Sequence, residues 1–151
     1  MKLLPLLLII FSIAVHAADE CVFDENAYIK FIDQYSKENK NAKIGPDGKT
    51  LSIKRGSEEI IVTGGGCVHL GALIELSTRR ELTEQQFLQK TLTLSIEFGD
   101  WLINTRALKD SIETGRFQII DGIYYVEVDA MTLFSATYDK HGKIFVDFYI
   151  N

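Results

Sequence analysis

Two cysteines, Cys21 and Cys67, and two histidines, His69 and His141, are the side chains outside the N-terminal apolar run best suited to nucleophilic or metal chemistry. Their spacing does not assemble a site. No Cys-x-x-Cys, His-x-x-x-His or His-Glu-x-x-His pattern accompanies them, so a zinc centre would need scattered ligands. Neither histidine has a sequence-local nucleophile with an obvious base, and Gly-x-Ser-x-Gly, the commonest esterase signature, is absent from the sequence. Glu127 and Asp129 are the nearest carboxylate pair for glycoside hydrolysis, but they read better as exposed positions of an alternating strand. Gly64-Gly65-Gly66 could form an anion-binding nest, yet the following Cys67-Val68-His69-Leu70 reads as strand, not as the helix a phosphate loop requires. No cofactor or metal is implied.

The two cysteines acquire a meaning from the N-terminus. Lys2 precedes an apolar run from Leu3 to Val15 and a small-residue site, Val15-His16-Ala17, before Ala18. That run is about 13 residues, shorter than the roughly 20 of a membrane-spanning helix, and the pattern is that of a cleaved secretory signal peptide. Residues 1–17 are therefore expected to be removed, leaving one domain over 18–151, periplasmic by first expectation and extracellular by second. Two thiols entering an oxidising compartment with no third competitor pair most simply with each other. A Cys21–Cys67 disulfide is expected, closing a loop whose chain-entropy contribution is about 4 kcal/mol. The three glycines then serve to let the backbone bulge so that Cys67 can reach Cys21.

Charge narrows the partners. The chain carries 16 basic and 21 acidic residues, and removing Lys2 makes the balance more acidic still. A net negative surface disfavours nucleic acid, and no membrane anchor is expected after processing. Against this background Lys37, Lys40, Lys43, Lys49, Lys54 and Arg55 face only Glu38 and Asp47, a local basic stretch. Its bland reading is a solvated helix end and loop; its functional reading is a docking face for an acidic partner, with Lys49, Lys54 and Arg55 as contacts.

The elements that must hold these residues are legible from periodicity. After Asp24, an N-cap residue, Tyr28, Phe31, Ile32 and Tyr35 recur at helical spacing. Gly45-Pro46-Asp47-Gly48 is a turn, and Leu51 to Ile53, Ile60 to Thr63 and Val68 to Leu76 read as three strands. Thr83-Glu84-Gln85-Gln86 has the form of a capping box opening a long helix, apolar over more than half its circumference, with Phe87, Leu94, Phe98, Trp101 and Leu102 clustered. A shorter helical piece from Arg106 stops at Gly115. Asp121-Gly122 is the pair that a two-residue type I′ hairpin prefers, and Lys140-His141-Gly142 makes a second hairpin loop. In the last strand Phe145, Asp147 and Tyr149 share one face, and Ile144, Val146, Phe148 and Ile150 the other.

The expected class is α+β: an antiparallel sheet of N-terminal strands plus a C-terminal four-stranded meander, packed on an N-terminal helix and a long central helix. The sequence shows no internal repeat. An exported, acidic, disulfide-tied domain of this size fits a protein-binding module, in its most concrete form an inhibitor or immunity protein against an envelope-directed toxin or hydrolase. Acidic character would steer it to a basic target. The alternative is a small-molecule binder or small hydrolase with a pocket between sheet and long helix, lined by His69, Trp101, Tyr124 and Tyr125. His69, on the less buried side of its strand, could also titrate in a binding surface.

Overall fold

A computed structural model describes residues 24–65, 71–78, 80–139 and 141–150. Cys21, Cys67 and His69 lie outside the described residues, and with them the expected disulfide and the orientation of that histidine. The chain runs α1 (Glu25–Glu38), β1 (Ala42–Ile44), β2 (Thr50–Arg55), β3 (Glu58–Gly64), β4 (Ala72–Ser77), α2 (Glu84–Gly99), α3 (Thr105–Glu113), β5 (Gln118–Ile120), β6 (Ile123–Glu127), β7 (Thr132–Tyr138) and β8 (Lys143–Ile150). All strands pair antiparallel in one sheet of order β1-β2-β3-β4-β8-β7-β6-β5. The α+β class and the C-terminal meander are as the sequence predicts.

Local chemistry places the element ends. Asp24 Oδ1 accepts the Ala27 amide at 3.0 Å to open α1. At the start of α2, Thr83 Oγ1 accepts the Gln86 amide at 3.3 Å and Gln86 Oε1 accepts the Thr83 amide at 3.0 Å, the reciprocal capping box. The β5–β6 hairpin turns through Asp121 at φ 51° and Gly122 at φ 80°, the two positive values a type I′ turn needs.

Three features depart from the sequence reading: first, α2 ends at Gly99, so Trp101 and Leu102 lie in the turn before α3 and not on the long helix. A short edge strand, β1, precedes the first expected one, so the N-terminal half has four strands. The topology is also duplicated: a helix leads into a four-stranded meander, then helical residues lead into another, and the two meanders join where β4 pairs with β8. The strand order reads the same outward from that junction in both directions. This repeat leaves no trace in residue identities because each half needs only the alternation of apolar and polar positions, which many sequences satisfy.

The helices lie on one face. There Ile53, Ile60, Val62, Ile74, Leu76, Ile144, Val146 and Phe148 are buried beneath Tyr28 and Ile32 of α1 and Phe87, Leu94 and Phe98 of α2. α2 packs on β4 and β8, at the junction of the two halves, with α3 against its flank and α1 on β1. Its last residue, Gly99, comes so close that an added Cβ would lie 2.8 Å from the Phe148 ring. Among the described residues no helix is long and apolar enough to cross a membrane.

Candidate functional site

The described residues among those singled out by sequence do not converge. Lys49 forms an ion pair with Glu25 and so ties the β1–β2 turn to the first turn of α1. Lys54 is exposed on β2, directly across from Glu59 of β3. Arg55 sends Nη1 to Glu97 Oε2 at 2.8 Å and Nη2 to the Tyr35 hydroxyl oxygen at 2.7 Å, while Tyr35 donates to Glu97 Oε1 at 2.5 Å. Burial and the adjacent Glu97 carboxylate push the Tyr35 phenol up to about 12. This is a structural clamp between sheet, α1 and α2, with Arg55 occupied inside the molecule. Two cations of the basic stretch, Lys49 and Arg55, thus have acidic partners within the chain.

Trp101 is a packing residue. Its ring stacks on Phe31 with centroids 5.9 Å apart and its Nε1 donates to the Phe98 carbonyl at 2.8 Å. Tyr124 packs against Phe87 and Phe117 on the helix side, its hydroxyl donating to Glu84 at 2.8 Å. Its neighbour Tyr125 points to the opposite face, as strand alternation requires. The pocket expected between sheet and long helix is therefore not lined by these residues together. Glu127 ends β6, exposed, and Asp129 lies in the following turn, where its Oδ1 accepts the Met131 amide at 2.9 Å.

What the sequence reading did not assemble lies on the other side of the sheet. Among the described residues no helix covers the face that carries Ile61, Leu73, Tyr125, Leu133, Phe145 and Tyr149, all of them half-buried. Across its middle, cross-strand pairing sets Leu73, Asp147, Ser135, Tyr125 and Gln118 in one row over β4, β8, β7, β6 and β5. Ser135, the small residue of that row, is only 5% exposed. It forms the floor of a niche, with Asp147 and Tyr125 on either side and Leu133 and Thr137 two residues away along its own strand.

Electrostatics single out Asp147 in this niche. Burial pushes its carboxyl above the ordinary value, and the Ser135 hydroxyl opposite offsets that only in part. Tyr149 is raised in turn, by burial first and then by the nearby Asp147 and Tyr125. The signal available in the sequence was the placement of Asp147 between Phe145 and Tyr149 on one strand face. What it lacked was the register that brings Ser135 and Tyr125 alongside.

The niche adjoins a cleft at the end of the sheet. Asp110 and Ser111 of α3, Arg116, and Tyr125, Glu127 and Leu133 of the sheet line a half-open volume of about 620 Å³. The Arg116 guanidinium is paired with Asp110 at its rim. Tyr125 and Leu133 belong to both cleft and open face, so the two form a continuous surface. Among the described residues no cluster of three or more histidine, cysteine or acidic side chains is placed to hold a metal. No protein-family model, curated protein or solved structure matches this chain.

Proposed function

We propose that this chain is an exported protein-binding domain whose open sheet face grips a basic protein, most concretely a periplasmic inhibitor or immunity protein against an envelope-directed toxin or hydrolase. The observation that carries the reading is the sheet face that no helix among the described residues covers, with aromatic and aliphatic side chains half-exposed in the middle of a sheet eight strands wide. Half-exposed tyrosines and aliphatic side chains interleaved with polar groups are the composition of a protein-binding surface. The six central strands span five spacings, about 24 Å, and lengths of about 20 Å give an area on the order of 500 Å². That is about one partner's share of a small but specific protein interface.

Charge favours a basic partner. The chain is net −5, and Asp147 and Glu127 bring acidic groups onto the C-terminal half of the open face. Long-range attraction of this sign accelerates encounter with a cationic target, and tyrosines at the centre of the patch supply rigid contact area. The half-open cleft beside α3 favours the second reading, a small-molecule binder or hydrolase, since its lining mixes Asp110, Arg116 and Glu127 with Phe117 and Leu133.

The test is capture from envelope and secreted fractions by the tagged full-length chain expressed in its source cell. The binding reading expects one protein retained at about 1:1, its retention lost on replacing Tyr125 and Tyr149 by alanine. Retention that survives the double substitution would place binding elsewhere. If nothing is retained and a small molecule raises the thermal midpoint, the cleft reading replaces it.

A further inference from the structure

We propose that the niche on β6, β7 and β8 is the receptor for a single arginine side chain of the protein partner, the guanidinium pairing with Asp147 above Ser135 and lying against Tyr125. This rests on the reading of the open face as the binding surface and names the chemistry that surface selects.

The geometry sets the size of the occupant. Asp147 and Tyr125 stand on β8 and β6 with Ser135 of β7 between them, so their Cα atoms are separated by two strand spacings, about 10 Å. Because the side chain between them is a serine, the row is notched where its neighbours rise. With Ser135 only 5% exposed, an occupant lies over the serine and not down between its neighbours, where a flat guanidinium can meet the edge of the Asp147 carboxylate. Leu133, two residues from Ser135 along β7, and Tyr149, which pairs with Leu133, provide apolar and aromatic walls at one end.

The chemistry sets its charge. Asp147 is half-buried among Phe145, Tyr149 and Leu73, and none of the ion pairs among the described residues involves it. The described cations of this continuous surface are both engaged elsewhere: Lys143 by Glu75 of β4, near the other end of the strand, and Arg116 of the adjoining cleft by Asp110. A carboxylate that has lost part of its water and, among the described residues, gained only a serine hydroxyl is an acceptor with unused capacity. Burial lifts its proton affinity, and an incoming cation reverses that cost. Arginine is favoured over lysine because a planar guanidinium can bond the carboxylate with two N–H groups while its face packs on a tyrosine ring. The exposed Glu127, at the end of β6 beside Leu133, adds negative potential at the entrance.

The probe is N-acetyl-arginine amide, with N-acetyl-citrulline amide as its neutral isostere, titrated into the isotope-labelled full chain and followed by NMR. The expected result is saturable shifts at Ser135, Asp147 and Tyr149, with citrulline weaker by about tenfold or more, as for loss of a charged hydrogen bond. Arginine amide should also lower the pH at which the wild-type Asp147 carboxyl carbon titrates, a readout that needs no variant. D147N should abolish the shifts, whereas E127Q should keep the binding with slightly reduced strength. Equal response to citrulline, an unmoved Asp147 titration, or the same loss in E127Q as in D147N would overturn the proposal. If the partner captured by the wild-type chain is retained unchanged by D147N, this inference falls and the protein-binding reading stands. If arginine amide binds while no protein is captured, the reading falls and the niche remains.

Discussion

The Arg55 guanidinium at the end of β2 and the Glu97 carboxylate near the end of α2 meet in a two-pronged pair, with Nη1 to Oε2 at 2.8 Å and Nη2 on Oε1. Tyr35 of α1 bonds both partners, so one residue from each of three elements closes the contact. Burial alone would raise the Glu97 carboxyl, but the hydrogen bonds from Arg55 and Tyr35 outweigh it and hold the carboxyl below its ordinary value.

The consequence is a specific acid sensitivity. A carboxyl depressed in the fold stabilises it at every pH above the ordinary carboxyl range, and that contribution is lost as pH falls through the folded value. Glu97→Gln should cost about 1 kcal/mol at neutral pH, a modest figure because the pair is partly exposed. It should also flatten the fall in stability on acidification, measured by urea unfolding at a series of pH values. A variant whose acid limb parallels the wild type would contradict this.

Asp147 predicts the opposite sign. Its carboxyl is raised in the fold, so the ionised form is disfavoured there, and stability falls as pH rises from the ordinary carboxyl value through the folded one. Asp147→Asn should therefore be more stable than wild type at neutral pH and converge with it in acid. Thermal unfolding at the two pH values decides the matter. A residue kept at a cost to stability is what a binding niche would require; a destabilised D147N at neutral pH would instead mark Asp147 as a structural group.

Two glycines with the same backbone angle should respond differently to alanine. Gly122 and Gly142 both have φ 80°, but an added Cβ at Gly122 meets open space, whereas at Gly142 it would run into the Thr78 carbonyl oxygen. Gly122→Ala should cost about 1 kcal/mol from strain alone, and Gly142→Ala roughly 3 kcal/mol or more, because backbone cannot yield as a side chain can. Denaturation midpoints of the two variants provide the comparison.

The contrast between what was legible and what was not follows from range. Asp24, the Thr83–Gln86 box and Asp121-Gly122 act over three or four residues, and each is found where the sequence implies. β1 was missed because three residues, Ala42–Ile44, are too few to show alternation, and its edge position follows from pairing with β2. Arg55 read as a cation without a partner because Glu97 is 42 residues away. The niche was half visible: Phe145, Asp147 and Tyr149 share a face by alternation, yet Ser135 and Tyr125 join them only through the register of three strands.

If the open face and not the helix face receives the partner, hydroxyl-radical footprinting of the full chain with and without its captured protein will separate the two faces. Tyr125, Leu133, Phe145 and Tyr149 are expected to lose reactivity in the complex while Phe31 and Ile96 on the helix side keep theirs. Protection of Phe31 and Ile96 with the four sheet residues unchanged would contradict binding at the open face.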